Sequence, residues 1–251
     1  MARNKLICGN WKMNQTVAEI KTFFDEMKVQ RNKITCAAWV APQLIHIPLV
    51  REMTSALKME VGAQNSSHKT SGAFTGDVSP LAIKESGASF VLVGHSERRA
   101  FFKETDAILN EKMLLALKSG LKVIFCVGET LSEREGKKTE AVVRTQLDEG
   151  LKNFPLESQA QLLIAYEPVW AIGTGKNATA GQAQEMHDFI RRHLKSVHKF
   201  ASESLTILYG GSLKPDNVAD LLGMPDIDGG LVGGASLKAS DYLQLCLAAS
   251  K

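Results

Sequence analysis

Glu167 and His95 are the residues of this chain best suited to moving a proton. Glu167 follows the apolar run Leu162-Leu163-Ile164-Ala165-Tyr166 and precedes Pro168. Proline cannot donate to a sheet ladder and holds the residue before it extended, so the spacing predicts a carboxylate at the carboxyl end of a strand, on a backbone fixed before any substrate arrives. His95 stands after a second apolar run, Phe90–Gly94, and before Ser96-Glu97-Arg98-Arg99, which reads as the first turn of a helix. Asn10 and Lys12, just past the run Lys5–Gly9, add an amide and an ammonium group, and Glu97 adds a second carboxylate.

Tyr209-Gly210-Gly211-Ser212 and Gly233-Gly234-Ala235-Ser236 are glycine turns through which backbone N–H groups can approach an anion. Gly211, Ser212, Gly233 and Gly234 are the expected phosphate pocket, with Gly173 reaching in from the loop after Glu167. Either pair alone is weak evidence, because glycines also ease close packing. One base, one imidazole, one ammonium, one amide and a phosphate anchor, without clustered metal ligands, suit removal of a proton beside a carbonyl while charge on the oxygens is stabilised.

The segment Pro168-Val169-Trp170-Ala171-Ile172-Gly173-Thr174-Gly175-Lys176 reads as a lid, with bulky apolar residues beside a stretch of compliant backbone. Its Gly-Thr-Gly-Lys end is not a Walker loop, since that motif needs a glycine where Trp170 stands.

Short apolar runs alternate with longer amphipathic stretches at an interval of roughly thirty residues, the size of a βα unit. The expected strands are Lys5–Gly9, Thr35–Ala41, Met59–Ala63, Phe90–Gly94, Lys122–Val127, Leu162–Tyr166, Thr206–Tyr209 and Gly230–Gly233, the number a closed barrel needs. Helices are expected over stretches such as Val17–Met27, Asp106–Lys118, Thr139–Leu151 and Gln182–Val197. This predicts an α/β chain with one (β/α)8 barrel over residues 1–251 and its site at the carboxyl ends of the strands. The rival, a doubly wound open sheet, would carry a Gly-x-Gly-x-x-Gly turn after the first strand, and Cys8-Gly9-Asn10-Trp11-Lys12 has none. Residues 64–77 break the rhythm as a polar loop, whose Phe74 argues for a tip buried in something.

Charge is nearly balanced, 30 Lys plus Arg against 27 Asp plus Glu in 251 residues, with no basic block. That argues against nucleic-acid or membrane-surface partners. No apolar run approaches the ~20 residues of a membrane helix, and a cytoplasmic location is expected. Cys8, Cys36, Cys126 and Cys246 lie singly in apolar segments, as small buried residues of a reducing compartment do. His187, His193 and His198 fall at spacings of six and five, which share no helical face, so they are expected to be solvated rather than metal ligands.

Gly9-Asn10-Trp11-Lys12-Met13-Asn14, Gly94-His95-Ser96-Glu97-Arg98-Arg99, the lid segment, Tyr209-Gly210-Gly211-Ser212 and Leu231-Val232-Gly233-Gly234-Ala235-Ser236 together resemble the triosephosphate isomerase family over essentially the whole chain. The resemblance implies cofactor-free, metal-free interconversion of dihydroxyacetone phosphate and glyceraldehyde 3-phosphate through an enediol(ate), in glycolysis and gluconeogenesis. Glu167 then corresponds to the base and His95 to the electrophile. Lys12 holds negative charge, Asn10 orients a substrate oxygen, and Glu97 supports the Asn10 and Lys12 side. His95 is implied to be neutral because it precedes a helix, an effect for which this family is itself the standing example. Tyr209 and Ala178 correspond to the latch of the closed lid. The resemblance also implies a homodimer in which the loop over residues 64–79 crosses to the partner, with Thr75 at its tip. Leu213 departs from the family pattern, where Val is more usual.

Two other functions fit parts of the pattern. A Schiff-base aldolase needs a desolvated lysine in mid-barrel, whereas Lys12 lies beyond a strand end beside an anion site. A sugar-phosphate binding module has no use for Glu167 and His95 together.

Overall fold

The computed structural model describes residues 3–173 and 178–250. These residues form a closed barrel of eight parallel strands, each bonded to the next and the last to the first. The strands are β1 Leu6–Asn10, β2 Ala37–Ala41, β3 Glu60–Ala63, β4 Phe90–Val93, β5 Lys122–Val127, β6 Leu162–Tyr166, β7 Ile207–Tyr209 and β8 Gly229–Val232. β5 and β6 coincide with the predicted runs. β2 starts later than Thr35 because the Thr35 and Cys36 amides donate to Ser250 Oγ, at 2.9 and 3.1 Å, instead of to a neighbouring strand. β1 continues to Asn10, which lies in register with Ala41.

Alternation along each strand divides the apolar side chains between two layers. In β6, Leu163 and Ala165 point into the barrel with Cys8, Leu92 and Cys126, while Leu162, Ile164 and Tyr166 pack outward beneath the helices. The helices return the chain from each strand's carboxyl end to the next strand's start, so all eight carboxyl ends lie on one rim. Side-chain caps fix where several of them begin: Thr16 with Glu19 before Val17–Gln30, Thr105 before Asp106–Lys118, and Thr179 with Gln182 before Ala180–Ser196. The helix Ala180–Ser196 starts ahead of the predicted Gln182 because Gln182 is the reciprocal partner of its cap.

Leu213 is accommodated by Gly230, whose missing side chain would sit 2.4 Å from the leucine Cδ2. All four cysteines are buried and free.

One expectation needs correction. His187 and His193 are buried, not solvated. Helical spacing misled because the helix ends at Ser196, ahead of His198, and because Asp226 and Asp148 supply partners from other elements. Phe74, at the tip of the polar loop, is 41 % exposed within the single chain and makes an edge contact with the His68 ring. The base of its loop is ordered, with the Ser67 amide on the Val78 carbonyl at 2.8 Å and Ser67 Oγ on Asp77 at 2.7 Å.

Candidate active site

Glu167 leaves β6 with its amide still bonded to the Val127 carbonyl of β5, at 2.7 Å. Two glycines make room for it. A Cβ on Gly128 would meet the Glu167 carbonyl oxygen at 1.7 Å, and one on Gly210 would meet Glu167 Cγ at 2.8 Å. The carboxylate is buried and fully engaged: Oε2 accepts from the Ser96 amide at 2.9 Å, and Oε1 accepts from Ser96 Oγ at 3.2 Å and lies 3.0 Å from His95 Nε2.

His95 caps the short helix Ser96–Phe101, its Nδ1 accepting the Glu97 amide at 3.3 Å. A ring nitrogen that accepts a backbone N–H carries no proton, so in this geometry the imidazole is neutral and Nε2–H is the donor toward Glu167. The helix amino end, with its unpaired amides, favours that arrangement.

Lys12 lies in the left-handed region, φ 51°, which puts its side chain across the rim. Its amide donates to Asn10 Oδ1 at 3.1 Å, its Nζ pairs with Glu97 Oε1 at 2.5 Å, and its Cε lies 3.5 Å from where a Cβ on Gly233 would be. Gln64 Nε2 ties the turn down by donating to the carbonyls of Lys12 and Ala41, both at 2.8 Å.

Asn10, Lys12, His95, Gly173, Gly211, Ser212, Gly233 and Gly234 line one cavity of about 700 Å³ at the rim. The chain thus brings together all the expected substrate-binding residues except Glu97, which lines an adjoining cavity of about 510 Å³ that shares Asn10, Lys12 and His95. Glu167 lines neither, because it is folded back onto Ser96.

The start of the segment expected as a lid is anchored. Glu129, fully buried at the end of β5, accepts from Tyr166 OH at 3.0 Å, Trp170 Nε1 at 2.9 Å and Arg134 at 3.2 Å. Val169–Ala171 form a 3-10 turn, Ile172 reaches the larger cavity, and Gly173 has φ +68° with open space where a side chain would be. Thr174, Gly175 and Lys176 lie outside the described residues. Burial pushes the Tyr209 hydroxyl up to about 12, partly offset by the nearby Ala178 amide, which makes no hydrogen bond of normal geometry to it. Burial, then the Glu167 charge, keep the Cys126 thiol well above its ordinary range, in keeping with a packing role.

The family model described as triosephosphate isomerase matches residues 5–249. The chain belongs to the triosephosphate isomerase family. Among curated proteins, triosephosphate isomerase of Herminiimonas arsenicoxydans is 45 % identical over 98 % of this chain and 100 % of its own length. That of Clostridium tetani is 46 % identical over 96 % of this chain and 94 % of its own, and that of Leptospira interrogans serovar Lai 46 % over 97 % and 99 %. For a triosephosphate isomerase, the chemistry to be explained at this rim is interconversion of dihydroxyacetone phosphate and glyceraldehyde 3-phosphate.

Three residues with evident work at this triosephosphate isomerase site escaped sequence reasoning. Ser96 holds the retracted carboxylate, Gln64 fixes the Lys12 turn, and Glu129 anchors Trp170 in the segment after Glu167. Glu129 was the findable one, since it follows a strand end as His95 and Glu167 do. Gln64 offered no signal beyond its place at the start of the polar loop.

Proposed function

We propose that this chain interconverts dihydroxyacetone phosphate and D-glyceraldehyde 3-phosphate with Glu167 as base and neutral His95 as electrophile. Glu167 takes the proton from one carbon and returns it to the neighbouring one. His95 Nε2–H donates to the substrate oxygens as they gain charge, and Lys12 Nζ supplies the positive charge opposite them. The observation that carries this reading is the 3.0 Å contact between His95 Nε2 and Glu167 Oε1 at the edge of the cavity.

Glu167 must swing away from Ser96 to act. An incoming substrate oxygen competes for the His95 donor and frees the carboxylate on that side. Asn10 orients the substrate, Glu97 holds Lys12 over the cavity, and Gly211, Ser212, Gly233 and Gly234, joined by Gly173, bind the phosphate. The lid over residues 168–176 excludes water, which strengthens these charge interactions and protects the enediolate from losing its phosphate. The enzyme works without metal or other cofactor, as one barrel domain, in the cytoplasm.

The active form is a homodimer made through the loop over residues 64–79. What supports this is the adjoining cavity beside Asn10, Lys12 and His95, with exposed Met13, Phe101 and Phe102 near it, and exposed Phe74 and Thr75 at the loop tip. One loop tip per subunit would fill the partner's cavity.

The test is a coupled assay for isomerisation of glyceraldehyde 3-phosphate together with solvent-deuterium uptake at the substrate carbons. Turnover with deuterium uptake is expected. Binding without turnover would favour the dead-barrel module, and a lysine adduct trapped by borohydride would favour the aldolase.

A further inference from the structure

On the face of the barrel away from the substrate rim, three side chains with metal-ligating atoms converge. Asp148 lies in the last turns of the helix Thr139–Gly150, His193 in the last turn of Ala180–Ser196, and His198 just beyond it. Both helices run back from the strands' carboxyl ends, so their own carboxyl ends lie at the opposite face. Oδ1 of Asp148 is 2.7 Å from His193 Nε2 and 3.0 Å from His198 Nε2, and the three ligand atoms lie within 4.8 Å of one another. We propose that Asp148, His193 and His198 form a three-ligand site for a divalent transition ion of the zinc type, clamping these two helices together.

The imidazoles are held by aromatic neighbours. Phe189 stacks on His193 with centroids 5.9 Å apart and planes 13° apart, and Phe200 lies 5.7 Å from the His198 ring. Both histidine side chains are largely buried, at 8 and 13 % exposure, whereas that of Asp148 is 40 % exposed. Zinc bound at about 2.0–2.2 Å from tetrahedral ligands separates them by roughly 3.3–3.5 Å. The two Asp148–histidine spacings need widening by about half an ångström, which the half-exposed carboxylate can supply. That exposure also leaves a fourth position open to water.

Two imidazoles with one carboxylate suit zinc, cobalt, nickel or copper rather than magnesium or calcium, which prefer all-oxygen ligands. The negative ends of two helix dipoles converge there and favour a cation. Without an ion the same atoms make a hydrogen-bonded clasp, with both Nε2–H groups donating to one oxygen. On loading, each Nε2 gives up its proton to solvent, which frees the lone pair that binds the ion.

Cobalt(II) titration of the full-length protein, stripped with chelator, tests the proposal. Tetrahedral visible absorption saturating at one equivalent per chain is expected, absent from both D148N and H198Q. Neither residue belongs to the substrate rim. Zinc titration followed by imidazole 1H–15N spectra should move the signals of two of the six histidines, and zinc should raise the melting temperature of the unmodified protein reversibly. No absorption and no shifted histidine pair in the unmodified protein would overturn the site, as would absorption that persists in both variants. The wild-type spectra decide the matter even if a variant fails to fold.

Discussion

Oε1 of Glu167, at the end of β6, lies 3.0 Å from Nε2 of His95, at the end of β4, and the same carboxylate is bonded to the Ser96 amide and hydroxyl. The residues proposed as base and electrophile therefore touch before substrate arrives, and the length of the acid's side chain sets its reach. Shortening it should be severe. Glu167→Asp withdraws the carboxylate by about one methylene and is expected to lower kcat by ~10²-fold or more with KM nearly unchanged. Steady-state kinetics check this, and unchanged turnover would remove Glu167 from the role of base.

Gly210 is expected to matter chiefly through Glu167. A methyl group there would meet Glu167 Cγ at 2.8 Å and the Tyr166 carbonyl at 3.1 Å, so Gly210→Ala should displace the acid and lower kcat by about tenfold or more. Gly128→Ala is different in kind, because its Cβ would strike backbone at 1.7 Å. That variant should be strongly destabilised, by several kcal/mol (about 3 or more) in urea denaturation, or should not fold.

Lys12, proposed to hold substrate charge, has its backbone in the left-handed region, φ 51°. A non-glycine residue in the left-handed region costs about 1–3 kcal/mol, and its half-exposed ion pair with Glu97 is worth at most about 1 kcal/mol. Lys12→Gly is therefore expected to match the parent in urea denaturation, or to exceed it by up to about 1 kcal/mol. Its kcat/KM should fall by about 10²- to 10³-fold, since a charge pair at about 4 Å with an effective dielectric near 20 is worth about 4 kcal/mol. A clear loss of stability would show that the φ of Lys12 is not strained.

His187 predicts the acid limit of the fold. Its Nδ1 meets the Asp226 carbonyl at 3.2 Å, so the proton sits there and the buried Nε2 has no partner. Burial pushes the imidazole down to about 4 from its ordinary 6.5, with Asp226 opposing. The unfolded chain takes up a proton as pH falls through about 6.5 and the folded chain does so only near 4, so stability is fully present above that window and is lost through it. The expected loss between about pH 7 and about pH 5 is about 2 kcal/mol, and His187→Gln should flatten that slope in urea titrations.

What sequence reasoning reached was what local chemistry dictates. Pro168 ended β6 where expected, and the runs of β5 and β6 were right to the residue, because each is a nearly continuous buried stretch, as a strand covered on both faces is. Thr35 was misplaced because its amide partner, Ser250, comes from the far end of the chain. Ser96 was quoted as part of a motif, yet its bond to Glu167 depends on the approach of two strand ends that no local pattern encodes. The histidines were misread for the same reason, since Asp148 reaches His193 and His198 only after two helices pack.

β1 pairs with β2 on one side and with β8 on the other, Leu6 lying opposite both Ala37 and Gly229. During synthesis the first strand to leave the ribosome therefore waits for nearly the last, and until β8 emerges the growing sheet carries two bare margins of unpaired amides and carbonyls. Such margins recruit other chains. Ring closure thus removes both margins at once, and the open sheet that precedes it is the stage most exposed to association with other chains.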